Sequence, residues 1–512
     1  MAHLLGIDIG TSGTKALLIN EAGKVLATHT VTYPLSTPKP GWSEQDPEHW
    51  WAGCCKAVKA VLKKAGVGKH DVAALGMSGQ MHGSVFIDKA GKVLRPCLLW
   101  NDQRTAAECD EIESAAGGRK ALVKLVANPA LTGFTAPKIL WVRKHEPRVY
   151  AKTAHILLPK DYLRWRMTGE FATEASDASG TLLFDVARRN WSGELLSKLG
   201  IDRDLLPDSF ESPDVTGLLH AEGARALGLA PGTPVVGGAG DVAAGAVGNG
   251  VVSTGVYNSI IGTSGIVFAH SDEMTLDTGG VGGRVHTMCH AVPGKWCVFG
   301  CMLSGAGNFQ WFADTLAAAE MKQLAAKDKS VFDALVKEAQ AAPLGSEGLF
   351  FLPYLTGERC PHPDPLARAG YIGITRRTTR GHMVRALFEG VTFGMRDMLL
   401  IMRDEMKIPV KQIRGTGGGT RSALWRQIQA DVLEAPLALT NSAEGGAFGV
   451  ALLAGVGAGV YGSVEQACRA TIKVTEQTKP VKKQAAAYAK HHAVYAKLYG
   501  SLKDRFAEIA AL

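Results

Sequence analysis

Short apolar runs broken by glycine and polar turns open the chain and predict a β-meander. Strands are expected over residues 4–9, 16–19 and 25–31, with turns at residues 11–14 and 21–24. A helix should follow, because Asp46 is a good N-cap, Pro47 suits the first helical position, and apolar residues recur at helical spacing as far as Gly66. A buried strand over residues 72–77 then leads into the loop 78–83. Antiparallel strands followed by a helical crossover to a parallel strand are typical of an α/β fold.

Further along, residues 234–241 predict a strand that breaks into a glycine loop ending at Asp241, followed by a short helix over residues 243–247. We place a lobe boundary near Val251, which gives domains 1–250 and 251–512. Residues 413–419 predict a strand entering a glycine loop, and residues 423–433 and 447–459 predict helices. The last helix is expected to face the core through Val494, Leu498, Leu502, Phe506 and Ile509.

The tetrapeptide Gly-Thr-Ser-Gly occurs twice, at Gly10–Gly13 and Gly262–Gly265, about half of the chain apart. Each copy lies between two apolar runs, so each is predicted to be the turn of a β-hairpin. Glycine lets backbone N–H groups approach an anion closely, and the hydroxyls add donors. The repeat therefore predicts two similar lobes that hold one polyphosphate between them.

Composition indicates a globular protein of two or more domains. The 512 residues are 46% hydrophobic and 20% charged, which is not the composition of a disordered chain. The 60 glycines follow no collagen-like period and indicate many tight loops. The net charge of +8 is densest near the C-terminus, without interleaved aromatic residues, so we expect a solvated helix face and no nucleic-acid partner.

Nine cysteines do not form a spaced disulfide framework, no signal peptide is recognised, and no apolar stretch is long enough to span a membrane. We therefore expect a cytoplasmic protein without a membrane partner. Zinc binding by His286, Cys289, His290, Cys297 and Cys301 is an alternative, but their spacing does not match common zinc sites. Two strands joined by a turn at residues 293–294 explain these residues as packing.

No Walker A motif occurs, and the glycines after the first strand are not a dinucleotide-binding fingerprint. Asp8 ends the first strand beside the first Gly-Thr-Ser-Gly turn, where a carboxylate would suit Mg²⁺ at a nucleotide site. Lys15 would neutralise a phosphate. The alternatives are an aspartate that hydrogen-bonds its own turn and an exposed strand lysine. Asp241, among small residues, would accept a hydroxyl proton during phosphoryl transfer, or cap the next helix, or do both.

Taken together these residues resemble the FGGY family of carbohydrate kinases, within the actin-like ATPase superfamily, over nearly the whole chain. The opening Gly6–Gly13 resembles the family's first phosphate motif. Gly79–Gly83 and Leu99–Asp102 resemble sugar-binding segments of members that phosphorylate xylulose, and residues 134–142 and 158–162 are similar to family signatures. Gly240-Asp241 stands where the family has its catalytic base, and Gly417–Gly419 with Ser422 resemble its adenosine loop.

The resemblance implies two actin-like (ribonuclease H-like) lobes with a nucleotide cleft between them, and an enzyme that transfers phosphate from ATP, with Mg²⁺, to D-xylulose or a related ketopentose, leaving ADP. Asp241 would be the base and Asp8 would organise Mg²⁺. The remaining site residues fall into two implied groups: sugar contacts at Met81, His82, Trp100 and Asp102, with Asp241 itself, and nucleotide contacts at Thr11, Ser12, Lys15, Gly262, Thr263, Gly417, Gly418 and Ser422. A homodimer is also expected.

Two positions depart from the family pattern. Val242 replaces the asparagine that usually follows the catalytic aspartate, and a valine cannot hydrogen-bond a sugar hydroxyl. Cys360 replaces threonine in the motif at Gly357–Pro361. Kinases for another polyol, such as another ketopentose or gluconate, stay open as alternatives, as does a non-enzymatic actin-like ATPase, although the latter would need neither a sugar loop nor Asp241.

Overall fold

The computed structural model describes residues 2–442 and 444–512 and contains two large sheets with helices around them. Strands in the first half are β1 (His3–Ile9), β2 (Gly13–Asn20), β3 (Val25–Thr32), β4 (Glu44–Gln45), β5 (Val72–Gly79), β6 (Val85–Ile87), β7 (Cys97–Leu98), β8 (His155–Leu157), β9 (Ala172–Glu174), β10 (Phe184–Asp185), β11 (Asn190–Trp191), β12 (Asp208–Phe210), β13 (Val215–Leu218), β14 (Pro234–Val236) and β15 (Ala239–Gly240). Those in the second half are β16 (Val256–Ile261), β17 (Gly265–Ser271), β18 (His286–Cys289), β19 (Trp296–Met302), β20 (Phe350–Leu352), β21 (Gly370–Ile372), β22 (Gln412–Thr416), β23 (Leu437–Thr440) and β24 (Val474–Thr478).

The helices are α1 (Pro47–Ala65), α2 (Ala106–Ala116), α3 (Arg119–Val126), α4 (Thr135–His145), α5 (Pro147–Tyr150), α6 (Pro159–Thr168), α7 (Ala175–Ala178), α8 (Gly193–Leu199), α9 (Ala221–Leu227), α10 (Asp241–Gly248), α11 (Gly307–Leu316), α12 (Ala318–Ala325), α13 (Val331–Ala341), α14 (Arg380–Leu400), α15 (Ala423–Leu433), α16 (Gly445–Gly457), α17 (Val464–Thr471) and α18 (Lys482–Ala510). The predicted N-terminal meander, the helix capped by Asp46 and Gly66, and the helix over residues 423–433 are all confirmed.

The two sheets share one topology. In the first, the order is β13-β14-β5-β1-β2-β3, and in the second it is β18-β19-β17-β16-β22-β23-β24. Each contains an antiparallel meander (β1-β2-β3 and β16-β17-β19) whose first strand pairs in parallel with a later one, β5 or β22. The sequence repeat therefore marks a repeat of fold, and the two Gly-Thr-Ser-Gly turns occupy equivalent hairpins.

Helices α10 and α16 cross each other and pack against the first sheet, although α16 lies far along the second half of the chain. The crossing requires small residues, since a Cβ at Gly449 would lie 1.9 Å from the Ala244 carbonyl oxygen. On the sheet side, a Cβ at Gly6 would lie 1.9 Å from the Ala447 carbonyl oxygen. The chain thus returns to the first sheet after β23, and a lobe boundary near residue 250 stays a prediction.

The C-terminal helix is present, and its predicted core face is confirmed in part: Phe506 is buried, and Leu498 and Leu502 pack against the core while partly buried. Val494 and Ile509 are instead 50% and 53% exposed, and Tyr488, His492 and Tyr495, which were not predicted, are buried. Tyr488 donates to Glu389 Oε1 (2.8 Å), and His492 Nε2 lies 2.7 Å from Asp397 Oδ1. The helix therefore packs on α14 through tyrosine and histidine side chains, which hydrophobicity scales rank below valine and isoleucine. Within the described residues, no helix is both long and apolar enough to cross a bilayer.

Candidate active site

The first turn closes tightly between β1 and β2. The Gly10 N–H donates to the Gly13 carbonyl (3.0 Å), and the Tyr33 hydroxyl donates to the Gly10 carbonyl (2.5 Å). Ser12, at the tip, is exposed. The turn is thus fixed from behind, while its outer backbone faces solvent, as an anion site requires.

Two glutamines that sequence reasoning left out of the site hold Thr11 in place. Gln45 Nε2 donates to the Thr11 carbonyl (2.6 Å), and the Thr11 hydroxyl donates to Gln80 Oε1 (3.0 Å). Trp100 Nε1 donates to the same hydroxyl (2.9 Å), which ties a predicted sugar residue to a predicted phosphate residue. Gln80 lies inside the predicted sugar loop, but nothing in the local sequence marks Gln45, which precedes α1.

The second turn joins β16 to β17 and is held by a different segment. The Gly262 N–H donates to the Ser264 carbonyl (3.0 Å). The N–H groups of Ala306 and Gly305 donate to the carbonyls of Gly262 and Thr263, both at 2.7 Å. The bonds from Ala306 and Gly305 thus use carbonyl groups of the turn, and Thr263 is exposed.

The glycine loop after β22 lies directly against this second turn. Gly417 has a φ of +85°, and a Cβ there would lie 2.5 Å from the Ile261 carbonyl oxygen, so only glycine fits. Gly418 faces open space. Ser422 is the N-cap of α15, since its hydroxyl accepts the Trp425 N–H (3.2 Å). The structure therefore brings the predicted adenosine loop and second phosphate turn together.

Asp8 lies near the end of β1 and Asp241 directly follows β15, and these two strands flank β5 in the first sheet. Asp8 pairs in register with Ser78 on β5, and Ala239, two residues before Asp241, pairs with the same Ser78. Burial raises the pKa of Asp8 above its usual value, while the Ser78 hydroxyl and the Lys15 ammonium oppose the rise. Burial, followed by the negative charge of Asp8, raises the pKa of Asp241 to about 7. Two carboxyl groups with raised pKa values at one sheet edge are typical of a functional site.

Asp241 is the first residue of α10, and the N-cap is Gly240, so the predicted capping role of Asp241 is wrong. Strand β15 ends at Gly240 and the helix begins at the next residue, so the N-cap lies one residue earlier than the predicted cap at Asp241. The Asp241 side chain keeps accessible surface although protein surrounds it. Its carboxylate is therefore free to meet a ligand.

Lys15 forms an ion pair with Glu444, the residue before α16. The first turn of α16 also reaches the Asp8 carboxylate, because a Cβ at Gly446 would lie 3.3 Å from Asp8 Oδ1. The N-terminus of a helix carries partial positive charge. This edge of the first sheet thus combines a carboxylate, an ammonium and a helix N-terminus.

The predicted sugar loop packs against the strand that leads to Asp241. A Cβ at Gly240 would lie 2.9 Å from Met81 Sδ. His82 has a φ of +68°, a strained value for a non-glycine residue, and its carbonyl accepts from Lys138 Nζ (2.8 Å) and the Thr135 hydroxyl (3.1 Å). Two donors on one carbonyl hold the loop in this conformation.

The His82 imidazole is neutral and oriented. Burial, with Lys138 as the next cause, lowers the pKa of His82 well below its usual value. Its Nδ1 lies 2.6 Å from the Gly180 carbonyl oxygen and therefore carries the proton, because a carbonyl only accepts. Nε2 is left as an acceptor for a hydroxyl hydrogen. The ring also stacks on Phe134, with centroids 4.6 Å apart.

Asp102 is placed differently from the other predicted sugar residues. Its carboxylate is buried and accepts from the Ser43 N–H (2.7 Å) and from Arg104 Nη2 (2.7 Å). Trp100, by contrast, is 37% exposed. The Asp102 carboxylate is thus already paired within the protein, and the predicted sugar contacts of Asp102, Trp100, Met81 and His82 all stay predictions.

A segment that sequence reasoning missed connects these parts. The Gly240 N–H donates to the Ser176 hydroxyl (3.1 Å), Gly180 accepts from His82, and the Cys289 N–H on β18 donates to the Ser179 hydroxyl (3.0 Å). The sequence around Ser176 and Ser179 did not mark them as part of the site, because their hydrogen-bond partners are distant in sequence. Residues 176–180 therefore connect β15, the predicted sugar loop and the second sheet.

The residues considered for zinc lie on β18 and β19 and the turn between them, as the packing interpretation predicts. His290 Nε2 lies 3.0 Å from the Val251 carbonyl oxygen, and Cys360 Sγ lies 3.9 Å from His286 Nε2. Across the described part of the chain, no group of three or more His, Cys, Asp or Glu side chains is arranged around a possible metal position. A metal held by one carboxylate and phosphate oxygens needs no such group.

Comparison with known proteins assigns both halves of the chain. The model of the FGGY family of carbohydrate kinases, N-terminal domain, matches residues 3–248, and the C-terminal domain model of the same family matches residues 257–458. The chain is 40% identical to the xylulose kinase of Klebsiella pneumoniae over 505 residues, which cover 98% of this chain and 99% of that protein.

Solved structures with the same fold include two kinases of Lactobacillus acidophilus. A ligand-bound xylulose kinase superposes with a TM-score of 0.92 at 25% identity, covering 99% of this chain and 100% of that one. A gluconate kinase also superposes with a TM-score of 0.92 at 25% identity, covering 99% of each chain. Fold similarity alone therefore does not separate these two kinds of kinase.

Proposed function

The chain belongs to the FGGY family of carbohydrate kinases, and from that premise we propose that it phosphorylates D-xylulose at its 5-hydroxyl, with Asp241 as the general base. Membership makes the protein an enzyme that transfers phosphate from ATP to a sugar hydroxyl. The similarity to xylulose kinases over nearly the full chain supports D-xylulose as the sugar. The observation that carries the assignment of the base is an accessible carboxyl with a pKa of about 7 beside Asp8 and Met81.

Each part of the site has one task in this mechanism. Met81, His82 and Trp100 position the ketopentose, with His82 Nε2 accepting a hydroxyl hydrogen. The backbone N–H groups of both Gly-Thr-Ser-Gly turns bind the phosphates of ATP. Asp241 takes the proton of the 5-hydroxyl while the new O–P bond forms. The bond from the γ-phosphorus to the bridging oxygen breaks, and ADP leaves.

The residues around Asp8 fit a divalent cation. The carboxylate is buried, its pKa is raised, and the neighbouring hydroxyl of Ser78 is an oxygen ligand of the kind Mg²⁺ accepts. Asp8 would hold Mg²⁺ together with phosphate oxygens, and the ion would supply charge neutralisation on the phosphates. Lys15 would leave Glu444 to add a second positive charge at the same place.

A sugar panel tests the proposed substrate and the role of Val242 together. Val242 follows the base and is partly buried against the apolar cluster that contains Met81. One neutral hydrogen bond contributes about 0.5–1.5 kcal/mol, so its loss should raise KM for D-xylulose without abolishing turnover. We expect Val242→Asn to lower KM for D-xylulose about two- to tenfold, and to lower it less for D-ribulose and L-xylulose.

The measurement is ADP formation with D-xylulose, D-ribulose, L-xylulose and D-gluconate, for wild type and Val242→Asn. Gluconate as the preferred acceptor of the wild type would overturn the substrate assignment, and ADP formation that does not respond to any sugar would overturn the function. A shift of all KM values alike would show that Val242 does not contact the sugar.

The raised pKa of Asp241 predicts a pH dependence. A general base must be ionised, so kcat/KM for the sugar should fall about tenfold per pH unit below about 7 and level off above it. The Asp8 charge is one cause of the raised pKa. Asp8→Asn should therefore move the acidic limb to lower pH, whatever it does to the maximum rate. An acidic limb that stays in place in this variant would contradict the assignment.

A further inference from the structure

A cavity of about 240 Å³ lies between α17 and the second sheet, away from both phosphate turns. The connection from α10 to β16 lines one side of it through Gly250, Val252, Ser253 and Val256. The other side is formed by Arg414 on β22 and by residues of α17 and its end, namely Glu465, Cys468, Arg469 and Ile472. The cavity is therefore built from the segment that links the helix of Asp241 to the strand of the second phosphate turn.

Arg414 is held in this cavity without a counter-charge. Its Nε is buried and has no hydrogen-bond partner, and no carboxylate of the described chain lies within ion-pair distance of its guanidinium. Burial lowers the pKa of Arg414 below its usual value, and only the Cys468 thiol opposes this. A guanidinium stays charged in proteins, so its partial burial here is costly unless an anion accompanies it.

Asn258, which neighbours Arg414 but does not line the cavity, is a second side chain without hydrogen-bond partners among the described residues. It pairs in register with Arg414 on the neighbouring strand, about 4.8 Å away as strand spacing requires. Its side chain is 1% exposed, and neither its Nδ2 nor its Oδ1 has a hydrogen-bond partner in the described chain. Buried amides are nearly always hydrogen-bonded, so the unpaired Asn258 shows that the sheet beside Arg414 is short of hydrogen-bond partners.

We propose that this cavity binds a small phosphate-bearing anion, inorganic phosphate or a short phosphate monoester, with Arg414 as the principal contact. The planar guanidinium donates two parallel hydrogen bonds to an oxyanion. Arg469 at the exposed mouth adds a second positive charge, against the single carboxylate of Glu465. The volume of about 240 Å³ lies below the about 300 Å³ at which pockets for drug-sized ligands begin, which favours a small anion.

The position of the cavity gives such an anion a means to influence turnover. The segment that lines it joins Asp241, at the start of α10, to Gly262, at the end of β16. An anion bound there favours one arrangement of these two elements over another, to the extent that it binds the two arrangements unequally. The site is thus distinct from the proposed active site and does not rest on which sugar the enzyme uses.

Calorimetry on the full chain tests the proposal. The phosphate turns are first filled with a non-hydrolysable ATP analogue and Mg²⁺, and inorganic phosphate or glycerol 3-phosphate is then titrated at constant ionic strength. We expect the wild type to bind one equivalent and Arg414→Gln to bind at least tenfold more weakly. Arg376→Gln, which removes an exposed arginine elsewhere in the second half of the chain, is the matched control and should bind as the wild type does.

The stronger of the two probes identifies the source of the phosphate group. If the wild type binds neither probe, or if Arg414→Gln binds as tightly as the wild type, the proposal is wrong. Should Arg414→Gln melt at a markedly lower temperature, Arg469→Gln takes its place, because Arg469 is exposed and its loss leaves the fold intact. That variant is expected to bind several-fold more weakly, and unchanged affinity in it overturns the proposal.

Discussion

Replacing Asp241 by asparagine is expected to lower kcat by about a hundredfold or more, the usual contribution of a positioned general base. Asparagine has the same size and cannot take the proton of the sugar hydroxyl. The backbone around it should be unchanged, because the Ser176 hydroxyl holds the Gly240 N–H and Met81 packs on Gly240 independently of the carboxylate. Affinities for ATP and sugar should therefore change much less than kcat.

Single-turnover rates and separate binding titrations of each ligand check this expectation. Asp46→Asn is a suitable control, since it makes the same chemical change in the first half of the chain and asparagine caps a helix as well as aspartate does. Asp46→Asn should keep the wild-type kcat. Near wild-type turnover in Asp241→Asn would refute the role of base. The residual activity of Asp241→Asn should also lose the acidic limb near pH 7, because that limb belongs to the Asp241 carboxyl.

Local signals predicted most of the elements that carry the site. Asp46 and Pro47 mark the start of their helix and Gly66 marks its end, as capping rules require. The glycine loop before the helix 423–433 ends at the N-cap Ser422. The repeat of Gly-Thr-Ser-Gly located both hairpins, because a short apolar strand on each side of a glycine turn is a signal within a dozen residues.

Long-range packing was not available from local patterns. The apolar helix over Gly445–Gly457 was predicted as buried, but only the structure shows that it packs on the first sheet beside Asp8. The same limit explains the C-terminal helix. Its buried face is set by partners on α14 that lie about a hundred residues earlier, such as Glu389 for Tyr488 and Asp397 for His492. Hydrophobicity along one helix does not report such polar partners.

The partners of the side chains in the site also could not be predicted from the sequence. The motif predicts Asp102 as a sugar ligand, yet its carboxylate accepts hydrogen bonds from Arg104 and from the Ser43 N–H. Lys15 reads as a phosphate ligand, yet it pairs with Glu444 from the far end of the chain. Charged residues in a motif show which chemistry is present, whereas their partners depend on which distant segment packs nearby.

The second phosphate turn offers a prediction of comparable size to that at Asp241. A Cβ at Gly262 would contact only the Ser264 carbonyl oxygen, at 4.0 Å, so the protein itself has room for a side chain there. The φ of Gly262 is not in the left-handed region, and the backbone tolerates other residues. Valine would instead fill the space through which a phosphate approaches the turn. Hydrogen bonds to charged groups contribute about 1.5–3 kcal/mol, so Gly262→Val should weaken ATP binding about tenfold to a hundredfold.

Calorimetric titration of ATP and of D-xylulose, each alone, distinguishes this effect from general damage. The proposed sugar contacts Met81, His82 and Trp100 belong to the first half of the chain, whereas Gly262 is supported by Gly305 and Ala306 in the second. Sugar affinity should therefore be unchanged in Gly262→Val. Gly193→Val is the matched control, since a Cβ at Gly193 also meets no atom within 4 Å and lies outside the site. Equal loss of both ligands would indicate general misfolding of the variant. Unchanged ATP affinity in Gly262→Val would mean that the repeated turn does not bind phosphate and that the two hairpins share a fold without sharing a function.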